Sequence, residues 1–238
     1  MGRINHREVH DYLYFCVIWY VMGESDGNEI AHSSGDPKPT SLGKYILGAI
    51  DSANCLPDNQ GQAAAMLSLQ HRKVLGLLPG FHTGGIAVHM LAGFCDMTLV
   101  LGHPDVPVSS GYAVELLKTG FIATMISPPS ILEDLSKDPA ALQVLAKLKN
   151  LAYGGGPLRL DARNAIARTV PHVFSFIGAT EVGWFYGLAG SNDLWDSMRY
   201  FDDIGYRFDE VSEGMFEHVI VNDEKTNVYH GVFEVLRE

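Results

Sequence analysis

The chain of 238 residues has no long apolar run, no basic surplus and no paired cysteine pattern, and each absence removes a class of function. Its longest apolar stretch, Leu13 to Met22, has ten residues, whereas a bilayer needs about 20. It reads as a buried strand. Glu8 and Asp11 precede it where a secretory leader would carry cations, so it does not read as a signal peptide. Lys and Arg number 17 against 28 Asp and Glu, a formal net charge of −11. The sequence holds no basic stripe to neutralise nucleic-acid phosphates and no polybasic cluster to attract anionic lipid. Cys16, Cys55 and Cys95 are odd in number and at no metal-ligand spacing, which suits reduced thiols in a cytoplasmic protein. His82 and His89 stand seven residues apart, about 10 Å along a helix, too far to share an ion. No internal repeat or low-complexity linker is visible.

What remains is an ordinary globular composition, 47% hydrophobic and 19% charged, able to bury a core. From Lys73 the sequence alternates short apolar runs with amphipathic stretches. Strands are expected at 74–79, 98–101, 121–126, 148–153 and 172–177. Helices are expected at 84–94, 112–118, 130–135, 139–148 and 160–169. Such alternation predicts an α/β fold with a mostly parallel sheet flanked by helices. After Gly190 shorter strands with Asp and Gly turns predict antiparallel pairing. The organisation expected is therefore an α/β core over 1–190 and a β-rich end over 191–238. Asp51–Gln62 reads as a surface loop.

Three loops could carry chemistry, each after an apolar run, where α/β sheets place ligands. Ala31–Thr40 combines small hydroxyl residues, a glycine and Lys38, which suits a phosphate held by backbone N–H groups. A plain Ser/Gly/Pro surface turn has the same composition. Gly154, Gly155 and Gly156 would let the backbone approach a flat ligand, or serve only a strained strand-to-helix turn. Gly178-Ala-Thr-Glu181 offers a hydroxyl and a carboxylate beside glycine, fit for one phosphate contact and one Mg²⁺ ligand. Alone, it could be an ordinary polar loop.

Together and in this order the motifs are specific. His32–Lys38, Leu78-Pro-Gly-Phe-His82, Tyr153-Gly-Gly-Gly-Pro157 and Gly178-Ala-Thr-Glu181 resemble the motifs of the adenylate-forming (AMP-binding) superfamily. Within it, MRYFDDIGYRFDEV and HGVFEVL look like the end of the large domain in fungal peptide-synthetase-like reductases. The resemblance runs from about Ile30 to the C-terminus. It implies ATP-dependent activation of a carboxylic acid to an acyl-adenylate, followed by transfer to a thiol. It further implies that Ser33, Ser34, Gly35 and Lys38 hold phosphates, that Thr180 touches phosphate and that Glu181 ligates Mg²⁺. Gly154, Gly155, Gly156, Gly178 and Ala179 would border the ATP/AMP and acyl pocket. Phe81 and His82 would lie near the substrate, an aryl or α-keto acid, with Gly84 and Gly85 shaping its pocket. His82, Thr180 and Glu181 are the catalytic candidates.

The sequence departs from the family at the phosphate loop. Only Asp36 stands between Gly35 and Pro37, where the family has four residues including a hydroxyl pair. A carboxylate about 4 Å from a phosphate costs about 4 kcal/mol at an effective dielectric of 20. The family's N-terminal lobe and its small C-terminal domain are not matched either. These departures lead us to expect a truncated large domain, inactive alone, or a non-catalytic remnant that binds nucleotide or acid. A dehydrogenase of the Rossmann type is excluded, because no G-x-G-x-x-G opens a helix after a strand. An apolar flank, and hence self-association or a partner chain, is also expected.

Overall fold

The computed structural model describes residues 29–32, 37–40, 72–94, 97–179, 183–185, 187–188, 199–200 and 205–226. Leu13 to Met22 and the loop Asp51–Gln62 lie outside them. Two short strands come first, β1 (Glu29–His32) and β2 (Pro37–Thr40), paired antiparallel with His32 opposite Pro37. The body follows: β3 (Lys73–Gly76), α1 (Thr83–Phe94), β4 (Thr98–Val100), α2 (Ser110–Lys118), β5 (Thr124–Ser127), α3 (Pro129–Leu135), α4 (Pro139–Leu145), β6 (Asn150–Gly154), α5 (Leu160–Ala167) and β7 (His172–Phe176). Strands β3 to β7 form one parallel sheet of five strands in the order β4-β3-β5-β6-β7.

The period of two along each strand divides the core. Leu75, Met125, Leu151 and Val173 face a layer made by α2 to α5, through Leu117, Leu132, Leu145 and Ile166. Val74, Ile126, Ala152 and Phe174 face the opposite way, where α1 supplies Val88 and Leu91. A strand covered on both faces cannot alternate apolar with polar, and VLGLL, TMIS and NLAY do not.

Local chemistry sets the boundaries. Ser109 Oγ accepts from Tyr112 N at 3.2 Å and caps α2; Asp138 Oδ1 accepts from Ala140 N at 2.8 Å and caps α4. Pro129 and Pro139 occupy first-turn positions, where their missing N–H costs nothing. The strand expected over 74–79 pairs only to Gly76, although Leu77 N still donates to Ile126 O at 2.9 Å. Pro79 has no N–H to continue that ladder.

After the parallel sheet, antiparallel pairing resumes earlier than expected, at β8 (Gly178–Ala179) with β9 (Gly183–Trp184). It continues in β10 (Gly187–Leu188) with β11 (Arg199–Tyr200), and in β12 (Tyr206–Ser212) with β13 (Met215–Ile220). The β12–β13 turn uses Glu213 and Gly214, the latter at φ 71°, a conformation that glycine adopts without a Cβ penalty. At its base, His218 stacks on Phe208 at 4.7 Å, with Tyr200, Tyr206 and Phe185 around it. Among the described residues no helix is long and apolar enough to cross a membrane.

Candidate functional site

The order β4-β3-β5 contains a reversal. The chain leaves β3 for β4 on one side, by way of α1, and returns to β5 on the other side of β3. In open α/β sheets ligands occupy the crevice outside the carboxyl ends of the strands near such a reversal. All five strands are parallel, so the segments after β3, β5, β6 and β7 leave by that one edge.

The segment after β3 carries Phe81 and His82. Phe81 is 70% exposed, whereas His82 is half-buried and closes the first turn of α1. Its Nδ1 accepts from Gly84 N at 3.3 Å and its carbonyl accepts from Ile86 N at 3.0 Å. An amide can only donate, so neutral His82 carries its proton on Nε2. His89, one turn further along α1 from Gly85, donates from Nδ1 to Gly85 O at 2.7 Å. Gly85 answers to packing: a Cβ there would run into the Pro79 carbonyl oxygen. Gly84 has more room, since a Cβ at that position would stand 3.3 Å from Leu78 Cδ1.

The glycine triplet divides in the same manner. Gly154 ends β6 opposite Phe176, and a Cβ would stand 2.9 Å from the Phe176 carbonyl oxygen. Gly155 has φ 92°, a left-handed conformation costly for other residues. Gly156 is bound by neither constraint, since a Cβ would meet only Pro129 Cγ at 4.0 Å. Two glycines are thus accounted for by the fold, and the third leaves backbone open at the cleft edge.

Because β6 and β7 are hydrogen-bonded neighbours in register, Gly155–Gly156 and Ile177–Ala179 leave the sheet side by side. Gly178 and Ala179 are exposed. Thr180 and Glu181 lie outside the described residues, in the connection between Ala179 and Gly183, which pair. Ser33, Ser34 and Gly35 likewise fall in the undescribed connection between His32 and Pro37. Lys38 is placed by its backbone in β2, opposite Ala31. The structure therefore brings the triplet, Gly178 and Ala179 to one edge with Phe81 and His82.

One segment at that edge was missed by reading the sequence. Ser127, buried at the end of β5, donates from Oγ to Pro128 O at 3.1 Å, and Pro129 then opens α3 against Gly156. Its signal was a proline pair directly after a fully buried strand. Near the triplet, Arg159 holds the Asp161 carboxyl below its usual range through their hydrogen bond at 3.2 Å. Among the described residues no three His, Cys, Asp or Glu side chains converge to hold a metal ion.

A carboxylic acid reductase of Neurospora crassa is 29% identical over 225 residues, covering 88% of this chain and 21% of that protein. Over most of its length the chain is thus similar to adenylate-forming enzymes. An adenylate-forming reductase of Aspergillus terreus is 26% identical over 201 residues, 81% of this chain and 18% of its own length. The chain spans about a fifth of the length of those curated relatives. A solved malonyl-CoA ligase, in a ternary product complex with methylmalonyl-CoA and AMP, shares the fold at a TM-score of 0.50. Identity is 20%, over 69% of this chain and 35% of that one. No protein-family model matches the chain.

Proposed function

We propose that this chain is the nucleotide-facing part of an enzyme that activates a carboxylic acid with ATP. The carboxylate would attack the α-phosphorus and expel pyrophosphate, and the acyl-adenylate would pass its acyl group to a thiol. The observation that carries the reading is the emergence of Gly155–Gly156 and Gly178–Ala179 from adjacent strands in register. A flat purine fits against backbone that carries no side chain, and Gly156 is open there without any demand from the fold. On this reading Gly154, Gly155, Gly156, Gly178 and Ala179 border the nucleotide, and Thr180 contacts phosphate. Glu181 holds Mg²⁺, which would neutralise phosphate charge. Ser33, Ser34, Gly35 and Lys38 meet the outer phosphates. Phe81 and His82, at the same edge, border an aryl or α-keto acid, His82 offering Nε2–H as a donor. Gly84 and Gly85 keep the floor of that pocket low.

A second reading, binding without turnover, is favoured by one feature: Asp36 alone separates Gly35 from Pro37. Losing a preorganised donor to transition-state charge typically costs about 10²–10³ in rate. We therefore expect binding of ATP·Mg²⁺ with little or no turnover by this chain alone. Calorimetric titration with ATP·Mg²⁺ tests the first half, and carboxylate-dependent ATP–pyrophosphate exchange tests the second, with Glu181→Ala as control. No heat with nucleotide would remove the nucleotide site. Exchange well above background, abolished by Glu181→Ala, would show instead a competent enzyme.

A further inference from the structure

At the end of the sheet opposite the candidate site, the fold gathers cations. The segments leading into the strands contain Arg72 and Lys73 before β3 and in it, Lys118 before β5, Lys147 and Lys149 before β6, and Arg168 and His172 at β7. These are six of the 17 Lys and Arg in a chain of net charge −11. None of those segments, 72–73, 118–123, 145–149 and 167–172, contains Asp or Glu. Hydrogen bonds draw them together: Ala123 N donates to Lys73 O at 3.1 Å, and Lys149 N donates to Ala123 O at 2.8 Å. Asn150, next in line, stands opposite His172. Lys73, Lys147, Lys149 and Arg168 are exposed. Within this basic edge Phe121 is 50% exposed, with the Lys73 ammonium 5.3 Å from its ring centre.

The β12–β13 hairpin has the complementary chemistry. Around its tip Val211, Met215 and Phe216 are 58–62% exposed. Glu210, Glu213 and Glu217 stand among them, all exposed. Five strands at about 4.8 Å make an edge about 19 Å long, and a strand of seven residues spans about 23 Å. We propose that the hairpin of one copy of this chain docks on the basic edge of a second copy. Phe216 and Met215 cover Phe121, and the three glutamates face Lys73, Lys147 and Lys149, since Lys118 already pairs with Glu115 at 2.7 Å. Such a contact joins two different surfaces, so it propagates head to tail and closes only if the rotation permits. By net charge the copies repel one another, whereas these two patches attract, which favours one orientation of contact. The proposal does not depend on acid activation.

Sedimentation velocity across a concentration series tests it. Association should appear at about 0.05 M salt and weaken on the order of tenfold by about 0.5 M, as screening shortens the Debye length. Two charge reversals, K147E/K149E and E213K/E217K, should each remove it, with circular dichroism confirming the fold. Mixing the two reversed proteins should restore association, because each then offers the charge that the other requires. Phe121→Ser with Lys118→Glu provides an independent edge variant with the same expected loss. A monomer at low salt overturns the proposal. So does association that survives both reversals, or folded reversed proteins that fail to associate when mixed.

Discussion

In the five-stranded sheet, β3, β5 and β6 are covered on both faces, and Leu75, Met125 and Leu151 are wholly buried. In the β12–β13 hairpin most positions face water, and Phe208, Val211, Met215 and Phe216 are 46–62% exposed. Both regions are rich in apolar strand residues, so composition does not separate them. What separates them is the supply of a second layer: α2 to α5 and α1 cover the sheet, while among the described residues the two-stranded hairpin packs chiefly at its base, against Phe185 and Tyr200. Stability should therefore concentrate in the sheet, and the hairpin should tolerate change.

The largest test of that contrast is truncation in each region. Leu151→Ala, in the centre of β6, should cost about 2–5 kcal/mol by lost transfer energy and a cavity. Val211→Ala, 59% exposed, should stay within about 0.5 kcal/mol. Urea denaturation measures both, and comparable losses would break the contrast.

A sharper test lies within one loop. Gly154→Ala drives a Cβ against the Phe176 carbonyl oxygen and should destabilise by about 1–3 kcal/mol through strain. Gly156→Ala meets nothing closer than Pro129 Cγ at 4.0 Å, so stability should change by less than about 0.5 kcal/mol. If Gly156 faces the nucleotide, titration of that variant should show weaker ATP·Mg²⁺ binding at unchanged stability. Unchanged affinity would remove Gly156 from the site.

A smaller effect is expected at helix ends. Asp138→Ala removes the cap of α4 and should lower stability by about 0.5–2 kcal/mol. Arg159→Ala, which breaks an exposed ion pair with Asp161, should lower the melting temperature less. The reverse ranking would show that the Arg159–Asp161 pair holds the loop after Gly156.

The smallest effect concerns His218 at the hairpin's base. Burial among aromatic rings pushes its pKa below the usual 6.5. The unfolded chain then binds the proton first, so stability is full above about pH 6.5 and falls as pH drops through the lower folded value. His218→Phe should flatten that slope over the same window. Hydrogen exchange of the hairpin amides reports it, and a slope unchanged by the substitution would exclude His218 as its source.

Much of this was legible in the residues. The parallel body was readable because continuous apolar runs alternate with amphipathic ones. The edge joining the glycine triplet to Gly178 was readable through the order of motifs, because a parallel sheet sends every strand end the same way. The division of labour inside Gly154–Gly156 was not. A glycine demanded by a neighbouring carbonyl and one left open look the same in one dimension. Nor does sequence spacing show that antiparallel pairing starts at Gly178, since two-residue strands carry too few side chains to make a period.

The sequence by itself determined the α/β class, the order of the core strands and helices and the resemblance to adenylate-forming enzymes, because hydrophobic period and motif order are properties of the chain read end to end. Only the tertiary structure decided which charges become neighbours. Arg72, Lys73, Lys118, Lys147, Lys149 and Arg168 spread over nearly a hundred residues of an acidic chain, and no stretch of it reads as basic. They form one edge because parallel pairing aligns the starts of β3, β5, β6 and β7, a register fixed by backbone hydrogen bonds and the buried faces they serve.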